Sequence, residues 1–388
     1  MTDIWQDMQA HLNSLAAAGL LRGQRVVESA CGPSVRIHGR DVVCLCSNDY
    51  LGLTNDPVVK AAAIAAVAQW GVGAGASRLV SGTTSLHTQL EDKLAAFKHA
   101  PAAVITSTGW MANHVAIGAL AGDGDLVLCD KLNHASIIDA ALSGRARVRT
   151  YNHCDTARLR RLLERHRGGH KRCLIVTETL FSMDGDLAPL AELAAIKRQF
   201  DAQLLIDEAH ATGVLGSDGR GLAELAGVED SIDATVGTLS KALGAMGGFV
   251  AGPQVLIDTI RNAGRPYIYT TALPPAICAA AQAGLDIVQT QPRRREHLLN
   301  LASALRQGLQ AAGLDTADSA SQIIPVILGA PQRAMEVSAR LLDAGFLIPA
   351  IRPPTVPPNT SRLRISLSAG HSQKDVAHLI EAIRAAIA

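Results

Sequence analysis

Neither sign of charge prevails in this 388-residue chain, in which 36 basic residues stand against 35 acidic ones for a formal net charge of +1. Without a net field, neither nucleic acid nor an anionic membrane is expected as the main partner. Nor does any uncharged apolar run reach the roughly 20 residues of a membrane span without glycine or proline interrupting it. The opening "MTDIWQDMQAHLNSL" sets Asp3, Asp7 and His11 into an amphipathic pattern, where a secretory leader needs a basic start and then an apolar run. The seven cysteines, at 31, 44, 46, 129, 154, 173 and 278, lack C-x-x-C spacing and the density of a disulfide scaffold. Reduced, structural thiols are expected. Internal repeats and long low-complexity tracts are missing as well. Two short basic clusters, Arg158 to Arg167 and Arg293 to Arg295, read as solvated helix faces. The absences point to a cytoplasmic protein.

What is present is a globular profile, 48% hydrophobic and 18% charged, in a chain long enough for a large core. Short apolar runs alternate with helical patterns. "PAAVITS" precedes "WMANHVAIGAL", "DLVLCD" precedes "HASIIDAAL", and "RCLIVTET" precedes "APLAELAAIKRQF", which leads into "AQLLIDEA". This alternation predicts an α/β fold with a mostly parallel, buried sheet, whose functional residues gather beyond the carboxyl ends of the strands. Three regions are expected: residues 1–45 as an N-terminal helix with extended pieces, 46–285 as the large α/β domain, and 286–388 as an α+β domain.

One lysine, Lys241, stands in the small and hydroxylic run "GTLSKALGAMGGF". A lysine in a loop usually points at water, and burying one without a partner costs several kcal/mol unless it neutralises. Upstream, the strand "LLIDEAHATG" ends in Asp207, Glu208 and His210, where a helix cap or an ion pair would be the ordinary explanation. A metal site would lack a nearby third ligand. The combination suits pyridoxal 5′-phosphate chemistry: an amine for the aldehyde, a carboxylate such as Asp207 for the pyridine nitrogen, and His210 for the phenolic oxygen. Thr238, Ser240 and the following glycines would let the cofactor approach the backbone. In "TSTGWMANH", Thr108 and Gly109 open a helix whose positive end suits a phosphate. His134, at a helix start in "DKLNHASIIDA", is a cap or a ring that stacks on a planar cofactor, with Asn133 or Ser136 as alternative caps. "GVGAGASR" follows a helical alanine run instead of a strand, so the dinucleotide fingerprint, and with it an NAD-dependent oxidoreductase, is rejected. Residues 71–85 are expected as a flexible loop.

The ordered set "SNDYLGL", "GASRLVSGTTSLHTQLE", "SMDGDLAPL", "DEAHATGVLG", "TLSKALGAMGG" and "RPPTVPPNTSRLRISLSAGH" resembles the α-oxoamine synthases, a family of fold-type I pyridoxal-phosphate enzymes, nearly end to end. The resemblance implies a seven-stranded type of sheet and assigns Lys241 as the lysine of the internal aldimine. Asp207 then holds the pyridine nitrogen, His210 contacts the phenolic oxygen, His134 stacks on the ring, and Thr108, Gly109, Trp110, Ser182 and Thr238 are further cofactor contacts. Relatives often carry Phe or Tyr where Trp110 stands. A homodimer is implied, with Thr270 and Thr271 reaching the second copy's phosphate. Arg364 matches the grip on the amino-acid carboxylate, and Arg22, Asn48 and Thr355 match substrate-side positions. "LAAAGLLR" and "AIRPPTVP" are most similar to members that condense L-alanine with pimeloyl-CoA or the pimeloyl carrier protein and release CO2. Glycine-using relatives are the alternative. Non-catalytic subunits related to the family lack the lysine that is present here.

Overall fold

The structure, a computed structural model, describes residues 3–388. The chain divides into two compact units. The larger comprises Asn48–Ser182 and Asp186–His297, and the smaller comprises the chain up to Ser47, Met183–Gly185 and Leu298–Ala388. The N-terminal segment, expected to stand apart, therefore belongs with the C-terminal residues, and the second boundary falls at His297 instead of 285. Helix Pro275–Thr290 accounts for the later boundary, because it buries Cys278, Ala281, Leu285 and Val288 inside the larger unit.

In the smaller unit, β1 (Ser34–Ile37) and β2 (Arg40–Cys44) form an antiparallel pair. The larger unit holds β3 (Ala102–Thr106), β4 (Leu126–Asp130), β5 (Arg147–Tyr151), β6 (Cys173–Glu178), β7 (Gln203–Asp207), β8 (Ala234–Thr238) and β9 (Gly248–Gly252). They make one seven-stranded sheet in the order β3-β9-β8-β7-β6-β4-β5. Strands β4 to β8 run parallel, whereas β9 is antiparallel to both β3 and β8. Continuous apolar runs such as "LVLC" and "CLIV" are buried at every position, as a parallel sheet covered on both faces requires. The edge strand β5, "RVRTY", is buried only at Tyr151. β10 (Ile323–Gly329), β11 (Phe346–Leu347), β12 (Ala350–Ile351) and β13 (Ser361–Ser366) complete the smaller unit, with β11 parallel to β2 and β13 between β10 and β12.

Two expectations change. Residues 71–85 are not a loop throughout, because Arg78–Gly82 forms a π-helical turn and Arg78 is buried. Of the two basic clusters, the first lies from Arg158 to Arg165 on the mainly solvated helix Thr156–His166, with Arg167 just beyond it bonding the carbonyls of Phe200 and Asp201; in the second Arg295 is buried and donates to the carbonyls of Val288 and Ser217, while Arg294 pairs with Asp56 at 2.8 Å. Among the described residues no helix is long and apolar enough to cross a membrane.

The buried carboxylate of Glu91 ties three elements together. It pairs with Arg78 at 2.9 Å and Arg261 at 3.2 Å, and it accepts the N–H of Ile105 in β3 at 3.0 Å. Removing one partner of such a group leaves an uncompensated buried charge. Glu91→Leu is expected to destabilise the protein by about 3–5 kcal/mol, read as a lower urea midpoint, because Arg78 keeps its burial and loses its counter-ion.

Candidate active site

Three neighbouring parallel strands end in chemistry: β6 in Glu178, β7 in Asp207 and β8 in Thr238. Beyond these ends lies a cavity of about 160 Å³, lined among others by Gly109, Trp110, His134, Asp207, His210 and Lys241. Residues scattered over more than a hundred positions of sequence are brought to one place by the parallel sheet, since each strand delivers its last residue to the same edge.

Asp207 is buried and accepts from the N–H of Ala209 and from Asn113 Nδ2, each at 2.8 Å. Asn113, on helix Gly109–Leu120, also donates to Ser136 Oγ at 2.9 Å, and its buried Oδ1 has no hydrogen-bond partner. Thr108 caps that helix through the N–H of Met111 at 3.2 Å, so the first-turn amides are presented beside the cavity. His134 is itself the N-cap of helix Ala135–Ser143, its Nδ1 accepting the N–H of Ser136 at 3.2 Å. Neither Asn133 nor Ser136 takes that place; Asn133 instead bonds the backbone of β6. Burial lowers the pKa of His134, against the opposing pull of Asp207, so the imidazole is neutral. Trp110 meets His134 edge to face at 5.9 Å and stacks on His114 at 6.0 Å. His210 Nδ1 lies 2.6 Å from the hydroxyl of buried Tyr50, which in turn donates to Asn48 Oδ1 at 3.1 Å.

Lys241 sits in the turn between β8 and β9, held by the bonds Gly244 N–H to Lys241 O and Leu239 N–H to Gly247 O. The glycines of this run leave room for the protein's own packing. A Cβ at Gly237 would lie 2.4 Å from the Phe249 ring, one at Gly244 2.6 Å from the backbone of Leu53, and one at Gly248 2.6 Å from Gly109 Cα. Thr238 Oγ1 is likewise committed, donating to Gly247 O at 2.8 Å.

Glu208 is turned away from this chemistry. It forms a buried pair with Lys98 at 2.7 Å and accepts the N–H of Ala223, which is the ordinary ion-pair explanation for a carboxylate at a strand end. Ser182 is absent from the cavity lining. Thr271 is exposed, and its carbonyl accepts from Ser107 Oγ at 3.3 Å. Arg22, Thr355 and Arg364 belong to the smaller unit. There Arg22 Nη2 donates to Thr355 Oγ1 at 3.4 Å across 333 positions of sequence, beside a cavity of about 270 Å³, and buried Arg364 bonds Ser366 Oγ at 2.9 Å. Among the described residues Asp130, His153 and Cys154 have the proximity of metal ligands. Although burial opposes its charge, His153 bridges Asp130 and Asp186, and these carboxylates push its pKa up to about 12. A proton thus occupies the place a cation would take.

The donor set around Lys241 fits pyridoxal phosphate. It offers an amine for the aldehyde, a carboxylate for the pyridine nitrogen, imidazoles at His134 and His210 in the same lining, and a helix N-terminus for the phosphate. The chain is 49% identical to 8-amino-7-oxononanoate synthase of Geotalea daltonii over 380 residues, 97% of each chain. It belongs to the 8-amino-7-oxononanoate synthase family. The model of class I and II aminotransferases matches residues 40–383, and pyridoxal phosphate is the cofactor. The fold-type I architecture of this synthase family recurs in the serine palmitoyltransferase of S. paucimobilis, solved with a pyridoxal phosphate–myriocin aldimine, at TM-score 0.94 and 35% identity over 99% of this chain and 98% of that one. It recurs too in 8-amino-7-oxononanoate synthase of Francisella tularensis, at TM-score 0.76 and 28% identity over 89% of this chain and 97% of that one.

Sequence reasoning missed Asn113, Ser136, Tyr50 and Glu178. Tyr50 was inside a quoted motif, but only the fold brings it to His210. Glu178 is fully buried; burial, then the charge of Asp207, raises its carboxyl to about 8. Because the folded-state value lies above the ordinary 4.5, the native state keeps a proton that the unfolded chain loses. Stability of the cofactor-free protein is therefore expected to fall as pH rises from the ordinary glutamate range through about 8. Glu178→Gln should flatten that slope, as checked by urea midpoints at acidic and alkaline pH.

Proposed function

We infer that this chain catalyses the 8-amino-7-oxononanoate synthase reaction, the decarboxylative condensation of L-alanine with a pimeloyl thioester to give 8-amino-7-oxononanoate, CO2 and the free thiol. The observation that carries the reading is the meeting of Lys241, Asp207, His210 and His134 around one cavity at the strand ends, in a chain of this family. Pyridoxal phosphate, when bound, supplies an electron sink for the carbanion at the amino acid's α-carbon. Lys241 would hold the cofactor through its Nζ and, as a free amine, would accept the α-proton at that atom. Asp207, pinned by Asn113 and the Ala209 N–H, would keep the pyridine nitrogen protonated. Neutral His134 would cover the ring face, and His210, held by Tyr50, would serve the phenolic oxygen. The amides that open helix Gly109–Leu120, behind Thr108 and with Trp110, take the phosphate, with Thr238 shaping the turn beside them.

Arg364 grips the alanine carboxylate, and Arg22, Asn48 and Thr355 act on the substrate side; the meeting of Arg22 with Thr355 supports a shared role for those two. Ser182 is assigned as a cofactor contact by family resemblance alone. The working form is a cytoplasmic homodimer in which Thr270 and Thr271 reach the phosphate of the second copy's site. Exposed apolar side chains at Leu79, Val80 and Tyr269, the last beside those threonines, support a covered surface there. The seven free thiols suit a reducing compartment.

Purified protein with pyridoxal phosphate is expected to show a visible band that borohydride fixes to the chain at Lys241. Lys241→Ala should lose both, with activity down by about 10²- to 10⁴-fold or more. In steady-state assays alanine with a pimeloyl thioester should be preferred over glycine with acetyl or succinyl thioesters. Preference for glycine with acetyl-CoA would overturn the substrate assignment.

A further inference from the structure

Four side chains from three parts of the sequence form one hydrogen-bonded series: Asp207 Oδ2 to Asn113 Nδ2 at 2.8 Å, Asn113 Nδ2 to Ser136 Oγ at 2.9 Å, and Ser136 Oγ to His134 Nδ1 at 2.8 Å. Asn113, Ser136 and Asp207 are all buried. We propose that Ser136 and Asn113 are positioning residues whose series of hydrogen bonds, oriented by the Asp207 carboxylate, holds His134 as the tautomer with its proton on Nε2. The proposal rests on the reading of this cavity as the pyridoxal-phosphate site and goes beyond it, since Ser136 has no part in the machinery assigned above and Asn113 enters it only as a donor to Asp207.

The direction of the series follows from what each group can do. A carboxylate only accepts, so the amide of Asn113 must turn its NH2 toward Asp207; the flipped amide would set two acceptors face to face. The second N–H of the same nitrogen then goes to Ser136 Oγ. Having accepted there, the serine hydroxyl points its own hydrogen at His134 Nδ1. The backbone N–H of Ser136 reaches that same nitrogen at 3.2 Å. With two donors aimed at it, Nδ1 carries no proton, and a neutral imidazole must carry its hydrogen on Nε2. Nε2 makes no hydrogen bond to another described residue.

The charged groups around the ring agree with a neutral imidazole. Burial disfavours the cation, Lys241 from the turn after β8 adds to that, and Asp207 from β7 and Asp139 from the imidazole's own helix oppose it. Glu178 at the end of β6 accepts the backbone N–H of His134, and Trp110 presents an edge contact from helix Gly109–Leu120. Toward the cavity His134 is then a donor and not a base. The α-proton is left to Lys241, and a histidine above the ring does not compete for it.

The test uses the holoenzyme of Ser136→Ala, which removes the hydroxyl donor and keeps the backbone one. Losing a donor to Nδ1 eases protonation there, so the acid limb of kcat/KM should move up by roughly half to one pH unit, the worth of one hydrogen bond. Asn113→Leu should move it the same way. The double variant should lose little more than the worse single one, because both act through one series. NMR of nitrogen-labelled histidine, with His134 assigned by its loss in His134→Gln, should show an unprotonated Nδ1 in the wild type and a shifted tautomer balance in Ser136→Ala. An unmoved acid limb, additive losses in the double variant, or a protonated Nδ1 in the wild type would overturn the proposal. Failure of the reaction reading is distinguishable, because a wild type without synthase activity still reports the tautomer by NMR.

Discussion

A carboxylate buried at the end of a parallel strand is the constraint on which the site depends. Asp207 is out of water, and a buried charge is tolerated only where donors or a cation meet it. The protein supplies two donors, Asn113 and the Ala209 N–H. A second carboxyl, Glu178, lies opposite it in the register of β6 and β7 and is driven toward its neutral form by burial and by that neighbouring charge. Burial and that neighbouring charge favour a single negative charge on the pair.

Around this charge the chain separates functions that sit side by side in sequence. Asp207 and Glu208 are adjacent, yet one faces the cavity and the other pairs with Lys98 and caps Ala223. Successive side chains leave a strand end in opposite directions, so one acidic dipeptide serves both chemistry and packing. The glycines around Lys241 serve close approach of backbones. Gly248 lets β9 lie against the start of helix Gly109–Leu120, and Gly244, at φ +66°, brings the lysine turn against Leu53. The start of that helix and the lysine turn are thereby each packed closely against neighbouring main chain.

Much of this was legible before the fold. The buried strands β4, β6 and β7 announce themselves as continuous apolar runs, and Asp207, His210, His134 and Lys241 stand out by type and position. What escaped had a physical reason in each case. Strand β9 is rich in glycine and follows β8 directly, without the helix that marks a βα unit, and β5 is a charged edge strand. Arg295 and Arg78 look like solvent-facing cations until partners distant in sequence enclose them. Asn113 and Ser136 are small polar residues in helical patterns, indistinguishable from surface positions.

By itself the sequence determined the α/β alternation, the strand ends where chemistry collects and the residue types suited to pyridoxal phosphate, because these depend on local periodicity and on the intrinsic reactivity of amine, carboxylate and imidazole. Only the tertiary structure decided which of those groups meet, which carboxylate is paired away, which nitrogen of His134 is an acceptor, and that the N-terminal strands belong with the C-terminal ones. Those outcomes rest on burial and hydrogen-bond direction between residues as far apart as positions 22 and 355. Neither quantity exists until the chain has folded.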